Sequence, residues 1–384
     1  MHRSVVSQLI LSFIYVAISI FAPSQAFADI NELRDPSCIK NWGIYHNSST
    51  SGSRSDIQAL EAWRMQEGSR DIVVAVIDTG IDPNHQALSK NLWKDPRDKN
   101  GKFGKNFVDP ECNPIDEHGH GTHVAGIIGA ELDRNLGTSG VAHRVSLMPI
   151  KYYSESNSGS VNLANTIQAI HYAIDHGAKI INYSGGGPEF SEQEYLAIKK
   201  AESKGILFIA AAGNEKQNID RSEYFYFPAS YSNPAAFRNR TYTPLKNIVV
   251  VAATNKKNDL ISASNWGKTS VDVAAPGEDI LSTLPNGKSG VLTGTSQATA
   301  FVTGIAALIL SENSSLTPNL VKKILIESSD PFSKLADKVR SNGRVNVYKA
   351  VLAAHQLRQT QPLKKTAPHT STRLASLPDQ KTEL

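Results

Sequence analysis

The chain has 384 residues, of which 40% are hydrophobic and 20% are charged, and its formal net charge is +4 at pH 7. This is the composition of an ordinary globular protein, which can bury a large core without the help of disulfides or metals. The net charge is small for this length and gives no reason to expect a nucleic-acid partner.

The N-terminus has the pattern of an export signal. Arg3 precedes an apolar stretch at 5–21, and the tripeptide Ala26–Ala28 follows with a small residue at each end. We therefore predict that 1–28 is a signal peptide cut after Ala28, which implies a secreted or periplasmic protein without membrane association once the signal is removed. The alternative is a retained anchor, although serines dilute the apolar stretch and leave it marginal for a spanning helix.

Two cysteines, Cys38 and Cys112, follow the signal. In an oxidising compartment we expect one disulfide between them. It would close a loop of about 75 residues and stabilise the fold by about 4 kcal/mol in the chain-entropy model. Two buried free thiols are the alternative, because the sequence does not give the distance between the two Cα atoms.

From about Asp35 to Ala354, runs typical of buried strands alternate with helical patterns. The first strand run, 71–77, is rich in β-branched residues, as expected of a strand covered on both faces. Similar runs lie at 145–150, 179–182, 206–210 and 248–252, and helical patterns lie at 161–176 and 191–204. This alternation predicts a single α/β domain over 29–355, with three layers and a doubly wound, mostly parallel sheet.

Three side chains lie where predicted strands end or predicted helices begin. Asp78 ends the first strand, at the sheet edge where functional residues gather, although a strand-end cap is the alternative for a lone carboxylate. His120 precedes a small, apolar helical stretch and can project into a crevice. Ser296 opens a second apolar helix, whose backbone N–H groups and positive end can stabilise an oxyanion.

The segments around these residues resemble the signature blocks of the subtilisin-like serine peptidases, in that family's order of Asp, His and Ser. The matching blocks are 76–80, 120–126 and 294–296, with further matches at 181–186, 211–214, 264–267, 273–277 and 344–350. Together they extend over roughly 35–354. The resemblance implies a subtilisin-like fold and a serine endopeptidase that acts on polypeptides.

The resemblance also implies a role for each matching residue. Ser296 is the expected nucleophile, His120 its general base, and Asp78 the carboxylate that orients His120. Asn214 and the Ser296 amide are expected to donate hydrogen bonds to the oxyanion.

The expected substrate contacts lie in two segments. Ser184, Gly185 and Gly186 can take an extended peptide as an added strand. Gly185 stands where leucine is common in the family, which leaves the specificity before the cut bond open. Ala212 and Gly213 belong to a pocket of small residues that we expect to favour sizeable apolar side chains.

Other interpretations of these residues are less favoured. His118, His120 and His123 together resemble a metal cluster, but no His-Glu-x-x-His pairing occurs. His118 is interpreted as a solvated loop residue and His123 as a buried structural histidine. A catalytically silent peptide-binding protein on the same fold is the second function class, and the presence of all four key residue types argues against it.

The resemblance implies no cofactor for catalysis, but structural calcium is common in the family. Asp95, Asp98 and Asn100 offer oxygen ligands at short spacing. Basic residues among them weaken this interpretation and no complete ligand loop is recognisable, so the sequence favours a solvated turn there. No oligomer interface is recognisable, so a monomer is the default expectation.

The last segment, 356–384, is rich in Gln, Thr, Pro and Lys and poor in apolar residues. Such a segment cannot bury enough apolar surface to offset the entropy of ordering it. We therefore predict a disordered tail there.

Overall fold

The computed structural model describes residues 36–46, 54–99, 101–238 and 241–360. The predicted signal peptide, 1–28, and the part of the predicted tail from 361 onward lie outside the described residues. The chain divides into two units, Met1–Ser37 and Cys38–Leu384, and every strand and α-helix described belongs to the second. Over the described ranges, no helix is long and apolar enough to cross a membrane.

The centre of the second unit is a mostly parallel sheet. Its nine described strands have the order β10-β11-β7-β6-β5-β4-β1-β3-β2, in which only the β10–β11 pair is antiparallel. They are β1 Gly68–Asp78, β2 Lys105–Asn106, β3 Arg144–Lys151, β4 Ile180–Tyr183, β5 Leu207–Ala211, β6 Ile248–Thr254, β7 Val273–Pro276, β10 Asp330–Pro331 and β11 Gly343–Arg344. A separate antiparallel hairpin consists of β8 Ile280–Leu284 and β9 Lys288–Leu292.

Helices cover both faces of this sheet. They are α1 Ala59–Trp63, α2 His120–Gly129, α3 Gly159–Asp175, α4 Glu192–Ser203, α5 Thr295–Glu312, α6 Pro318–Glu327 and α7 Val347–Thr360. Helices α3 and α4 pack with alternate side chains of the strands, such as Ala75 and Ile77, while α2 and α5 contact each other and the opposite face. The predicted three-layer α/β class is therefore confirmed.

Helix α5 is the most enclosed of these helices. Along Thr295–Glu312, every residue except Ser311 is buried, and the helix contacts β1, β4, β5, β6 and β7. Apart from Gln297 and Glu312, its residues are small or apolar on all sides, which is typical of a helix with little solvent-facing surface. A methyl group on Gly304 would lie only 2.6 Å from Val141 Cβ, so even the glycine is closely packed.

The predicted disulfide is wrong, because no bond joins Cys38 to Cys112. Cys38 lies beside Gly137, after the C-terminal end of α2: a methyl group on Gly137 would be 3.2 Å from the Cys38 carbonyl oxygen. Cys112 lies in an exposed loop before the N-terminus of α2, where its amide donates to Asp109 O at 3.1 Å. Cys38 therefore contacts the segment that follows α2, whereas Cys112 lies in the loop that precedes α2, and the two cysteines are not paired.

Helix α7 extends beyond 355, where we predicted the domain to end. It continues to Thr360, and residues 356–360 are exposed. His355 Nδ1 lies 2.8 Å from Glu312 Oε1, and Arg358 NH1 donates to Glu312 O at 3.3 Å. The polar composition that predicted disorder therefore belongs, in this stretch, to a solvated helical turn held against the end of α5.

Candidate active site

Three of the predicted site residues lie at or just after the carboxyl ends of neighbouring strands. In the register of the sheet, Ile77 pairs with Tyr183, and Tyr183 pairs with Ala210. Asp78 is the last residue of β1, while the segments after β4 and β5 carry Ser184 and Asn214. Because parallel strands end at the same edge, three distant parts of the sequence meet there.

His120 and Asp78 are in direct contact. His120 Nδ1 lies 2.7 Å from Asp78 Oδ1, and the Thr79 amide donates to the same oxygen at 2.8 Å. A carboxylate accepts hydrogen bonds, so Nδ1 carries the proton and Nε2 keeps its lone pair. Asp78 is buried, whereas the His120 side chain is 27% exposed. The histidine can therefore act as a base toward the solvent side.

Two opposing effects act on the pKa of His120. Burial lowers the pKa, whereas the charge of Asp78, the hydrogen bond to Asp78 and the charge of Asp116 raise it, and the net result lies above the usual 6.5. The carboxylates therefore stabilise the imidazolium that forms when His120 accepts a proton.

Asp116 has a positioning role that we did not predict from the sequence. Its buried carboxylate accepts from the Thr79 hydroxyl at 2.8 Å, from the Thr122 amide at 2.8 Å and from the Thr122 hydroxyl at 2.6 Å. A negative charge is favourable at the N-terminus of a helix, here α2. An acidic residue just before a helix start was the available sequence signal, and it also fits a simple cap. Asp116 ties the end of β1 to the helix that carries His120.

Two glycines allow this close approach. A methyl group on Gly121 would collide with the carbonyl oxygen of Gly80, and Gly80 itself has φ +111. The Gly121 amide donates to Thr79 Oγ1 at 2.9 Å. Backbone therefore lies directly against backbone, which places His120 beside the end of β1.

His123 is buried and His118 is solvated, as we predicted from the sequence. His123 is fully buried, and its Nε2 faces the carbonyl oxygens of Ile280 at 3.0 Å and Gly290 at 3.2 Å, so this nitrogen donates. Burial lowers the pKa of His123 to about 4. The His118 side chain is 47% exposed and lies 3.4 Å from Glu155. In the described ranges, no cluster of three or more His, Cys, Asp or Glu side chains is arranged to hold a metal.

Ser296 occupies the second position of α5. Its side chain is 8% exposed, and Oγ donates a long hydrogen bond of 3.4 Å to the carbonyl oxygen of Ser184. The free N–H groups and the positive dipole end of α5 lie beside it. The hydroxyl is therefore located between an anion-stabilising helix end and the segment expected to bind substrate.

The amide of Asn214 is anchored to the same helix end. Asn214 Oδ1 accepts from the Thr295 amide at 3.0 Å and from the Thr295 hydroxyl at 3.2 Å. Since the oxygen is occupied, Nδ2 is left to donate next to Ser296. Asn214 is exposed, so this donor can reach a bound molecule.

The two predicted substrate segments leave adjacent strands. Ser184, Gly185 and Gly186 follow β4, and the next residue, Gly187, pairs with Phe227 through hydrogen bonds of 2.9 and 2.7 Å. Residues 212 and 213 follow β5. Their carbonyl oxygens both accept from Asn265, at 2.9 and 3.0 Å. Hydrogen bonds to Phe227 and Asn265 thus fix the backbone of both segments.

The loop of Asp95 and Asp98 has the turn structure that the sequence favoured over a calcium site. Asp95 is already occupied by the guanidinium of Arg97, at 3.2 Å, and by His176, at 3.5 Å. The Arg97 side chain lowers the pKa of Asp95, as expected for a carboxylate paired with a cation. Asn100 lies outside the described residues. The described part of this loop is therefore a turn closed by an ion pair.

Comparisons with known proteins identify similar sequences. The model of the subtilase family, peptidase S8, matches residues 69–358. Thermitase of Thermoactinomyces vulgaris is 35% identical over 295 residues, 77% of this chain and 93% of thermitase. The major intracellular serine protease of Bacillus subtilis (strain 168) is 38% identical over 259 residues, 66% of this chain and 73% of that protein. Subtilisin E of the same bacterium is 40% identical over 248 residues, 64% of this chain and 57% of subtilisin E.

Proposed function

The chain belongs to the subtilase family and is a serine-type endopeptidase, and from this premise we propose that it cleaves peptide bonds through Asp78, His120 and Ser296. The family and the enzyme class predicted from the sequence are confirmed. The observation that supports the assignment of residues is the 2.7 Å contact between Asp78 and His120 at the carboxyl ends of the strands, where Ser296 lies in the first turn of α5.

The first half of the proposed reaction forms an acyl-enzyme. His120 Nε2 takes the proton of Ser296 Oγ as the oxygen attacks the scissile carbonyl carbon. Asp78 stabilises the resulting imidazolium and stays ionised. The negative oxygen of the tetrahedral intermediate accepts from Asn214 Nδ2 and from the Ser296 amide. His120 then protonates the leaving amine, and the C–N bond breaks.

The second half releases the other product. A water molecule gives its proton to His120 and attacks the ester carbonyl, and the same two donors stabilise the oxyanion. Ser296 Oγ leaves with the proton held by His120, which restores the enzyme. Every proton moves between Ser296, His120, water and substrate, so no cofactor takes part.

The proposed substrate is an extended polypeptide. Ser184, Gly185 and Gly186 offer backbone groups beside the nucleophile, to which a peptide can pair as an added strand. We further propose a monomer with no nucleic-acid partner. Export to the periplasm or medium rests on the signal-like pattern of 1–28 alone, and the related proteins include one named as intracellular.

The test combines casein digestion with labelling by a fluorophosphonate probe. The full-length protein is compared with Ser296→Ala and with Ser311→Ala, a matched change on the same helix, where the hydroxyl only donates to Ala307 O at 2.7 Å. We expect the wild type and Ser311→Ala to cleave and to be labelled. Ser296→Ala should lose about 10⁶-fold in turnover, the size known from subtilisin itself.

Two results would count against this proposal. Labelling of a folded Ser296→Ala protein would show that another residue is the nucleophile. A folded wild type that is inert toward both casein and the probe would favour the silent peptide-binding protein instead.

A further inference from the structure

A side chain from a distant part of the chain lies between the two substrate segments. A methyl group on Gly186, after β4, would lie 2.5 Å from Tyr226 Cε1 and 2.9 Å from Tyr226 Cζ. A methyl group on Gly213, after β5, would lie 3.1 Å from the same Cε1 atom. One edge of the Tyr226 ring therefore touches both glycines and fills the space between them.

The backbone that carries this ring is fixed on both sides. The Tyr226 amide donates to Ser230 Oγ at 2.9 Å, and the Ser230 amide donates to Tyr226 O at 2.7 Å. The next residue, Phe227, pairs with Gly187, which directly follows the substrate segment 184–186. The ring is partly buried against the apolar core, and burial together with nearby Glu215 raises the pKa of its hydroxyl. The ring is therefore a fixed, neutral part of the wall.

The position of the ring determines what a substrate can place there. A peptide paired with 184–186, with its scissile carbonyl carbon at Ser296, directs that carbonyl oxygen toward Asn214. The side chain of the same substrate residue then falls between the segments after β4 and β5. That residue is the one just before the cut bond.

We propose that Tyr226 restricts this substrate position to small side chains: glycine, alanine and serine. The inference rests on the proposed function and defines its substrate class. It reverses our expectation that Ala212 and Gly213 provide room for sizeable apolar side chains. Those residues are small, but the Tyr226 ring occupies the volume that they leave.

A competing possibility is a preference for basic side chains, because Glu215 Oε2 lies only 2.5 Å from the position of a methyl group on Gly213. Two observations argue against it. Glu215 Oε2 already accepts from Asn265 Nδ2 at 2.6 Å, and Glu215 is exposed, where its charge is screened. The ring also occupies the depth that a lysine stem would need.

The test uses peptide p-nitroanilides that differ only in the residue before the cut bond: Gly, Ala, Leu, Phe or Lys. For the full-length wild type, we expect kcat/KM for Ala to exceed that for Phe and Leu by about 10- to 100-fold, the range over which a pocket discriminates by size. Tyr226→Gly should lose this preference because its kcat/KM for the substrate with Phe before the cut bond increases. Tyr226→Phe keeps the ring without its hydroxyl and should retain the wild-type ratio.

The wild-type profile decides the question even if a variant does not fold. A wild type that prefers Phe or Leu would overturn the inference. A wild type that prefers Lys, with the preference lost in Glu215→Gln, would overturn it in favour of selection by charge. Fluorophosphonate labelling needs no large side chain in the pocket, so a labelled wild type without small-residue preference refutes this inference alone. An unlabelled, inert wild type refutes the proposed function and this inference together.

Discussion

In the central sheet, a buried carboxylate lies next to a basic side chain both at the carboxyl ends of the strands and at their amino ends. At the carboxyl edge, Asp78 contacts His120 at 2.7 Å. At the opposite edge, Asp272, just before β7, contacts Lys322 of α6 at 2.8 Å. The distances are alike, but His120 is partly exposed, whereas Lys322 is buried.

The two pairs differ in the number of hydrogen-bond and ion-pair partners and in the direction in which the pKa of the basic residue is shifted. Asp272 also accepts from the Val250 amide at 3.0 Å and lies 3.3 Å from Arg340, while Lys322 Nζ donates to Ile248 O at 2.7 Å. Burial lowers the pKa of Lys322, and Asp272 raises it only in part. This pair joins β6, β7 and α6. The enclosed pair thus has a structural role, whereas the partly exposed His120 of the other pair can reach a bound molecule, as the proposed mechanism requires.

The largest effect should follow from Asp78→Asn. The change removes the charge that orients His120, and we expect kcat to fall by about 10⁴-fold, as for loss of this carboxylate in other serine proteases. Thermal stability should change little, because the asparagine keeps the shape of the strand end. Peptide hydrolysis and a melting curve measure both. A loss below tenfold would mean that Asp78 is only a strand-end cap.

The opposite result is expected for Asp272→Asn, which leaves a buried lysine without its counter-charge. We expect the free energy of unfolding to fall by about 3–5 kcal/mol. Denaturant titration in the Ser296→Ala background measures this without self-digestion. In the active protein, kcat per folded molecule should be unchanged.

The double change Asp272→Asn with Lys322→Met is the control for this prediction, because it removes both charges and should recover much of the loss. Equal destabilisation by the single and double changes would show that packing, not charge, is responsible.

The smallest of the expected effects is the dependence of the activity on pH. His120 must be neutral to accept a proton, and its pKa is raised above 6.5. The activity should therefore fall as the pH decreases through a midpoint above 6.5, visible in kcat/KM. In Asp78→Asn, the residual activity should have its midpoint at a lower pH. An unchanged midpoint would assign the titration to another group.

The fold and the placement of Asp78 at the end of a covered strand are predictable because their signals are local. The β-branched run before Asp78 predicts a covered strand, and the helices between strands impose parallel order. Tyr226 is different: it follows Ser184 by a long stretch, and only the pairing of Phe227 with Gly187 brings it to the cleft. The predicted Cys38–Cys112 disulfide was wrong for the same reason. Two cysteines after an export signal suggest a bond, but the distance between them in the folded chain decides whether it forms.

The near-complete burial of α5 has a consequence for which positions of this enzyme can vary. A helix with so little solvent-facing surface tolerates few substitutions, so most changes along α5 are expected to destabilise the support of Ser296. The neighbouring exposed residues Glu215, Lys216 and Arg221 to Tyr224 can vary at little thermodynamic cost. Substitutions at these residues can therefore change the surface next to the cleft while the buried helix that carries Ser296 stays the same.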